Sequence, residues 1–355
     1  MPKIISGIQQ LGIGVKDVHE AWKWYRQNFK IDVRIFEEKA TAGLMLPYTG
    51  NKPRKRHAIL TMNMQGGGGM EVWQYTEREP KEPDFELQLG DLGLFAAKIK
   101  SRNVEETYNE FKRKQLNLIG VLTKDGGGEK NHFYVKDPFN NIFEIVESNK
   151  WFKIQKWLTG GVYGVNVGVT NMQKSIDFYS HILGYNEAVY DKEGNFDDLA
   201  FLPGGKNKFR RVLLRHGQPR VGGFSRFLGP SKIELFQVLD RKPKKIYKDR
   251  MWGDLGFIHL CFDINNMDAL RKECDAFGHP FTVDSSESFD MGEAAGHFSY
   301  IEDPDGTLIE FVETHRIPIL KKIGWYLDLR KRNPELSLPN WLVNALRFNR
   351  VKDKN

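Results

Sequence analysis

Cysteine is scarce in this chain: 355 residues contain two, Cys261 and Cys274. Two thiols cannot build a disulfide framework, so the sequence reads as that of a protein from a reducing compartment. Also missing is any apolar run of about 18 residues, the length a membrane-spanning helix needs. The first residues, Met1-Pro2-Lys3-Ile4-Ile5-Ser6-Gly7, lack the apolar core and cleavage-like end of a signal peptide. The expectation is a cytoplasmic protein without a transmembrane segment. Charge of one sign is nearly absent too, since 53 basic residues face 46 acidic ones, a net +7. So mild an excess permits acidic partners and demands none. With no zinc-finger spacing, RNP-type signature or basic zipper, nucleic acid is not an expected partner. The 34 glycines follow no period, and 12% aromatic residues exclude disorder. The runs Gly66–Gly69 and Gly126–Gly128 do not open onto a Lys-Ser/Thr helix start, so neither is a phosphate-binding P-loop.

A long internal repeat is present. Val15–Tyr25 answers Val169–Tyr179, 154 residues on. Gly90-Asp91-Leu92-Gly93 recurs as Gly253-Asp254-Leu255-Gly256, and Met70-Glu71-Val72 as Ile233-Glu234-Leu235, both 163 residues on. Asp137–Glu144 returns as Asp303–Glu310 at an offset of 166. Order is kept and the offset grows only in loops, as in a duplicated domain. The halves are placed at 1–150 and 158–314, joined through Asn149–Thr159, and a basic extension runs over 315–355. Each half is doubled again. Gln9–Val15 alternates as a strand, Asp17 stands at an N-cap, and Val18, Ala21, Trp22 and Tyr25 keep helical spacing. Gly43–Leu46, Ala58–Met62 and Met70–Tyr75 read as three more strands. The plan recurs with a strand at Leu94–Ile99, a helix at Val104–Lys114, and strands ending in Asn131–Val135 and Ile142–Glu147. The expected fold class is α+β, four strand–helix–strand–strand–strand modules with helices covering one face of each sheet.

Four glutamates close the four modules in register: Glu71, Glu144, Glu234 and Glu310. Each is embedded in an apolar strand, where an ionised carboxylate needs water, a partner or a metal. With the Val-x-Asp/Asn helix start, the following Phe/Tyr-Tyr pair and the Asp-Pro-Asp-Gly-x-x-x-Glu ending, this pattern resembles the vicinal oxygen chelate superfamily. Glyoxalase I, methylmalonyl-CoA epimerase, extradiol dioxygenases and bleomycin-resistance proteins belong to it. The resemblance covers about residues 7–148 and 161–313. It implies two glyoxalase-like domains of βαβββ modules that pair into cups, each cup holding one divalent metal on ligands from first and fourth strands.

In that family a first-strand ligand lies seven residues before the residue that opens the helix. Counting back from Asp17 gives Gln10, and from Asn266 gives His259; the same count from Asn171 gives Gly164, and the repeat places Ala96 in the remaining module. If neighbouring modules pair, one cup offers Gln10, Glu71 and Glu144 and the other Glu234, His259 and Glu310. If the first pairs with the fourth, one cup offers Gln10, Glu71, His259 and Glu310, and the other keeps only Glu144 and Glu234. The crossed pairing is preferred because it makes both losses the abandonment of one site. Two neutral ligands and two carboxylates balance a 2+ ion, with Zn, Ni, Mn, Co or Fe all compatible. The resemblance then implies a metal-dependent lyase or isomerase that polarises the carbonyl of a small oxygenated substrate and stabilises an enediolate. Glu310 or Glu71 would move the proton. Glutathione dependence is doubtful, because the family's glutathione-contacting places hold Gly14, Tyr75 and Leu255. Trp73, Tyr75 and Cys261 are expected to line the substrate pocket. The alternatives are a non-haem Fe(II) dioxygenase of extradiol or 4-hydroxyphenylpyruvate type, disfavoured by Gly164, and a metal-free binding protein of bleomycin-resistance type. A small-molecule substrate and a monomer or homodimer are expected. The basic runs around Arg54–Arg56 and Arg210–Arg211 read mainly as solvated faces, and the extension as packing across the two halves rather than on a membrane.

Overall fold

The computed structural model describes residues 2–286, 289–290, 295–320 and 325–352. The first module is β1 (Ile4–Gly14), α1 (Val18–Phe29), β2 (Val33–Ala42), β3 (Arg54–Met62) and β4 (Gly69–Tyr75). The second is β5 (Gly93–Ser101), α2 (Val104–Arg113), β6 (Asn117–Lys124), β7 (Asn131–Lys136) and β8 (Ile142–Glu147). The third is β9 (Thr159–Gly168), α3 (Met172–His181), β10 (Glu187–Gly194), β11 (Phe209–Arg215) and β12 (Lys232–Val238), with a single helical turn, α4 (Ser225–Leu228), before its last strand. The fourth is β13 (Gly256–Asn265), α5 (Met267–Ala276), the short β14 (Val283–Asp284) and β15 (Phe289–Asp290), β16 (Ala295–Glu302) and β17 (Leu308–Thr314). The extension adds a hairpin, β18 (Arg316–Leu320) and β19 (Trp325–Asp328), and a short helix, α6 (Asn340–Asn344). No helix among the described residues is long and apolar enough to cross a membrane.

Helix starts follow their caps. Asp17 accepts the backbone N–H groups of His19 and Glu20, and Asn103, Asn171 and Asn266 do the same for the other three module helices. One strand lies elsewhere than its sequence pattern suggests. Gly43–Leu46 is not a strand; the second strand is β2, ten residues earlier, and Leu46–Tyr48 makes a 3₁₀ turn around Pro47. β2 is the outer strand of its sheet and mostly half exposed, so Glu37, Glu38 and Lys39 interrupt the apolar alternation that would have marked it.

The modules pair crosswise. One sheet runs β14-β16-β17-β13-β1-β4-β3-β2, with β15 paired to β16, and so joins the first and fourth modules. The other runs β10-β11-β12-β9-β5-β8-β7-β6 and joins the second and third. Alternation sends Leu11, Ile13, Met70, Val72, Leu260 and Ile309 into the main core with the module helices. Their neighbours Gln10, Glu71, His259 and Glu310 therefore face the opposite, inner side. Where the sheets meet, Gly68 and Val162 exchange backbone hydrogen bonds of 2.8 Å, and a Cβ on Gly161 would stand 2.3 Å from the Gly68 carbonyl oxygen. The glycine run at 66–69 serves this backbone approach.

Two duplicated ties hold the arrangement. The Tyr25 hydroxyl donates to Asp137 (2.7 Å) and the Tyr179 hydroxyl to Asp303 (3.0 Å), joining helix to turn within each half. Across the crossed pairs, Asp91 accepts Arg241 and the Lys244 N–H, and Asp254 accepts Arg78 and the Lys81 N–H. The repeated Gly-Asp-Leu-Gly motif is thus a structural clamp. Replacing Asp254, fully buried, by alanine strands the Arg78 guanidinium and the N–H groups of Lys81 and Met251. A loss of about 2–4 kcal/mol in urea unfolding is the expected outcome.

Candidate metal centre

The four central strands of the crossed sheet, β17-β13-β1-β4, each present one candidate ligand to the inner face. Register sets them on two adjacent rungs. Glu310, Cys261 and Gln10 share one rung; His259, Gly12 and Glu71 share the next. All four candidate ligands are buried. Ligand atoms of Glu71, His259 and Glu310 lie within 4.8 Å of one another. His259 Nε2 is 3.0 Å from Glu310 Oε2 and 3.5 Å from Glu71 Oε2, and the Gln10 amide nitrogen donates to Glu310 Oε2 at 3.4 Å. Gly12 makes room for the imidazole: a Cβ there would lie 2.4 Å from His259 Cε1.

The donor set fits a divalent cation. Gln10 Oε1 is buried without a hydrogen-bond partner among the described residues, and His259 Nε2, though close to both carboxylates, makes a well-directed hydrogen bond to neither. Those are the two neutral ligand atoms such a site needs. His259 Nδ1 lies 3.4 Å from the Tyr300 hydroxyl, a partner that fixes the ring while leaving Nε2 for coordination. Burial alone would lower the His259 pKa, but Glu310 and Glu71 outweigh it and push it up to about 9. Burial would raise Glu310, and His259 reverses this and holds its carboxyl low. A proton on Nε2 and a bound cation are therefore alternatives that answer the same two carboxylates.

Trp73, Tyr75 and Cys261, expected at the substrate pocket, share the inner face, as alternation requires, yet are not among the residues that line the cavity. Trp73 packs edge-on against Tyr75 and Trp252, each with ring centroids 4.7 Å away, and Gly253 is where a Cβ would meet the Trp73 ring. Trp252, Phe298 and Tyr300 from the same cluster form the cavity wall instead. No sequence signal marked Trp252, because its side chain comes from a loop.

The second cup answers the first rung by rung. Glu144, Lys98 and Gly164 replace Glu310, Cys261 and Gln10; Ala96, Asn166 and Glu234 replace His259, Gly12 and Glu71. This cup does not keep only its two glutamates. The Lys98 ammonium bridges them, bonded to Glu144 and, at 2.6 Å, to Glu234. His132 Nδ1 lies 2.8 Å from Glu144, and Arg211 binds Glu234 and Asp198. Arg211 is fully buried, not on a solvated face. Lys98 was detectable in the sequence as a lysine between Ala97 and Ile99, one repeat before Cys261. A void of only about 20 Å³ remains in this cup. A further group, His19, Glu37 and His57, lies within 4.8 Å on the outer side of the first sheet, where Arg34 also binds Glu37.

Paired βαβββ modules with candidate ligands on the inner face of the sheet make a glyoxalase-type fold. The sequence matches the Glyoxalase/Bleomycin resistance protein/Dioxygenase superfamily over residues 7–145 and 163–311, and the chain belongs to that superfamily. Among solved structures, glyoxalase I from Zea mays is similar at 13% identity and a TM-score of 0.52, over 88% of this chain and 92% of that one. A proposed dioxygenase from Bacillus subtilis is similar at 11% identity and a TM-score of 0.58, over 99% and 98%. These likenesses show the fold. Comparison with curated proteins gives no match.

The second cup generates a pH prediction. Burial would lower the His132 pKa, but Asp198 and Glu144 push it up to about 9 from 6.5. The raised value means its contribution is complete below about 6.5 and lost as pH rises through 9. Urea midpoints of the wild type should fall relative to His132→Gln between those limits; parallel pH profiles would refute the charged pair.

Proposed function

We propose that this chain is a metal-dependent lyase or isomerase with one working centre, formed by Gln10, Glu71, His259 and Glu310. The observation that supports this most is the meeting of two buried carboxylates with Gln10 Oε1 and His259 Nε2, which make no directed hydrogen bond among the described residues. Gln10 and His259 are neutral as ligands and the glutamates bring two negative charges, so a divalent ion leaves the buried site uncharged. When bound, such an ion supplies Lewis-acid polarisation of a substrate carbonyl.

The chain's own residues supply the rest. Glu310 is the proposed base: a carboxylate oxygen takes the proton from the hydroxyl-bearing carbon and returns it to the former carbonyl carbon, while the hydroxyl proton passes to the former carbonyl oxygen, so the substrate is isomerised with no net change of protons. Glu71 is the proposed second carboxylate for that transfer. Burial raises the Tyr300 hydroxyl far above its usual pKa, with Glu310 adding to it, so this group stays protonated as a hydrogen-bond donor. Trp252 and Phe298 supply the apolar wall beside the reacting carbon. Among the four proposed ligands there is one histidine, which favours this reading over a dioxygenase needing two.

Metal content measured by mass spectrometry is expected to be about one per chain in wild type and in Glu144→Ala. It should be lost in Gln10→Ala and His259→Ala. Proton exchange beside the carbonyl of hydroxyacetone, followed by NMR, should drop roughly 100- to 10,000-fold in Glu310→Gln. Absence of metal from every reloaded sample would sink the reading in favour of a metal-free binding protein; oxygen consumption with iron would favour a dioxygenase.

A further inference from the structure

The first cup holds a cavity of about 1020 Å³ that opens to the surface, beyond the roughly 300–1,000 Å³ that usually holds drug-sized ligands. A compound of a few carbons would leave nearly all of it unfilled. Gln10, Glu71 and Glu310 reach the cavity from the sheet, while Ile35, Leu60, Phe227, Leu228, Leu342 and Leu346 line much of the remainder. One further polar group stands apart. Arg56 binds Glu38 through Nη2, and its Nη1 is buried with no hydrogen-bond partner among the described residues. Leu60 is the β3 residue opposite Glu71, and Arg56 lies four residues back along the same strand, about 13 Å away at strand rise.

The far wall is the C-terminal segment, drawn over the cup as a strap. It is fastened at one end where the Leu338 N–H donates to the Gly223 carbonyl (2.8 Å). At the other end Arg350 binds the Asp32 carboxylate (3.1 Å) and the Val351 N–H donates to the Asp32 carbonyl (2.9 Å). Between the fastenings Leu342 and Val343 are buried, whereas Trp341 and Phe348 line the cavity and are still 65% and 79% exposed. An apolar lip therefore continues the apolar interior out to the surface.

We propose that the first cup takes an elongated, largely apolar carbonyl compound. Its oxygenated end lies against Gln10, Glu71 and Glu310, its body runs along the strap, and an acceptor group within reach of Arg56 adds a second anchor. The placement of the oxygenated end rests on the function proposed above; the apolar body rests on the cavity and the strap alone.

The experiment is calorimetric titration of the metal-loaded full chain with pyruvate, 2-oxooctanoate and 2-oxohexadecanoate. Affinity is expected to climb roughly three- to fourfold per buried methylene until the cavity is filled. Leu346→Trp, which fills the cavity from the strap, should weaken the longest acid about tenfold or more and leave pyruvate unchanged. The same affinity for all three acids, or an equal effect of Leu346→Trp on each, would overturn the proposal. The two readings fail separately. A chain-length gradient in a protein that holds no metal supports the apolar occupant and rejects the metal centre; bound metal without a gradient does the reverse.

Discussion

Four glutamates are buried on the inner faces of the two sheets, one on the last strand of each module, and none can remain ionised there without positive charge beside it. The two cups meet this constraint differently. In the second, Lys98, Arg211 and His132 face Glu144, Glu234 and Asp198, and the charges close among side chains. In the first, Glu71 and Glu310 have His259 as their near cationic partner, while Gln10 offers an oxygen without a hydrogen-bond partner among the described residues. One cup is self-neutralised and nearly filled; the other retains unmatched ligand atoms and a large cavity.

The difference arises from few residues because the scaffold is duplicated. Cys261 and Lys98 occupy equivalent rungs, as do Gln10 and Gly164 and as do His259 and Ala96. A lysine side chain is long enough to reach both carboxylates from the rung where Cys261 stops short. Around this variable centre the ties repeat faithfully, Tyr25–Asp137 with Tyr179–Asp303 and Asp91–Arg241 with Asp254–Arg78. The first kind joins modules adjacent in sequence and the second joins modules adjacent in a sheet, so the pair of ties favours the crossed arrangement over the neighbouring one.

Much of the fold was legible because strands buried on one side must alternate and helices must be capped. Glu71 and Glu310 could be singled out because the repeat sets a glutamate at the same place in every module, whereas Gln10 and His259 were reached only through the family resemblance, since their counterparts are Gly164 and Ala96. β2 was misplaced because an edge strand exposed on one side carries charges that resemble a loop. Arg211 passed for a solvated residue, since a basic run does not reveal which member turns inward. Trp73, Tyr75 and Cys261 were put on the right face but not at the cavity, because alternation fixes a face and cannot say which neighbour covers it.

The sequence by itself determined the duplication, the βαβββ plan and the side of each strand on which the glutamates lie, all consequences of local periodicity and capping. Tertiary structure realised the crossed pairing that the uneven spread of Gln10, His259, Gly164 and Ala96 had favoured, and it alone decided that Lys98 closes the second cup and that the C-terminal segment walls the first. Each of these depends on contacts between residues far apart in the chain. Such contacts are chosen by which buried charges can be neutralised and which apolar surfaces can be covered, and no local pattern records that choice.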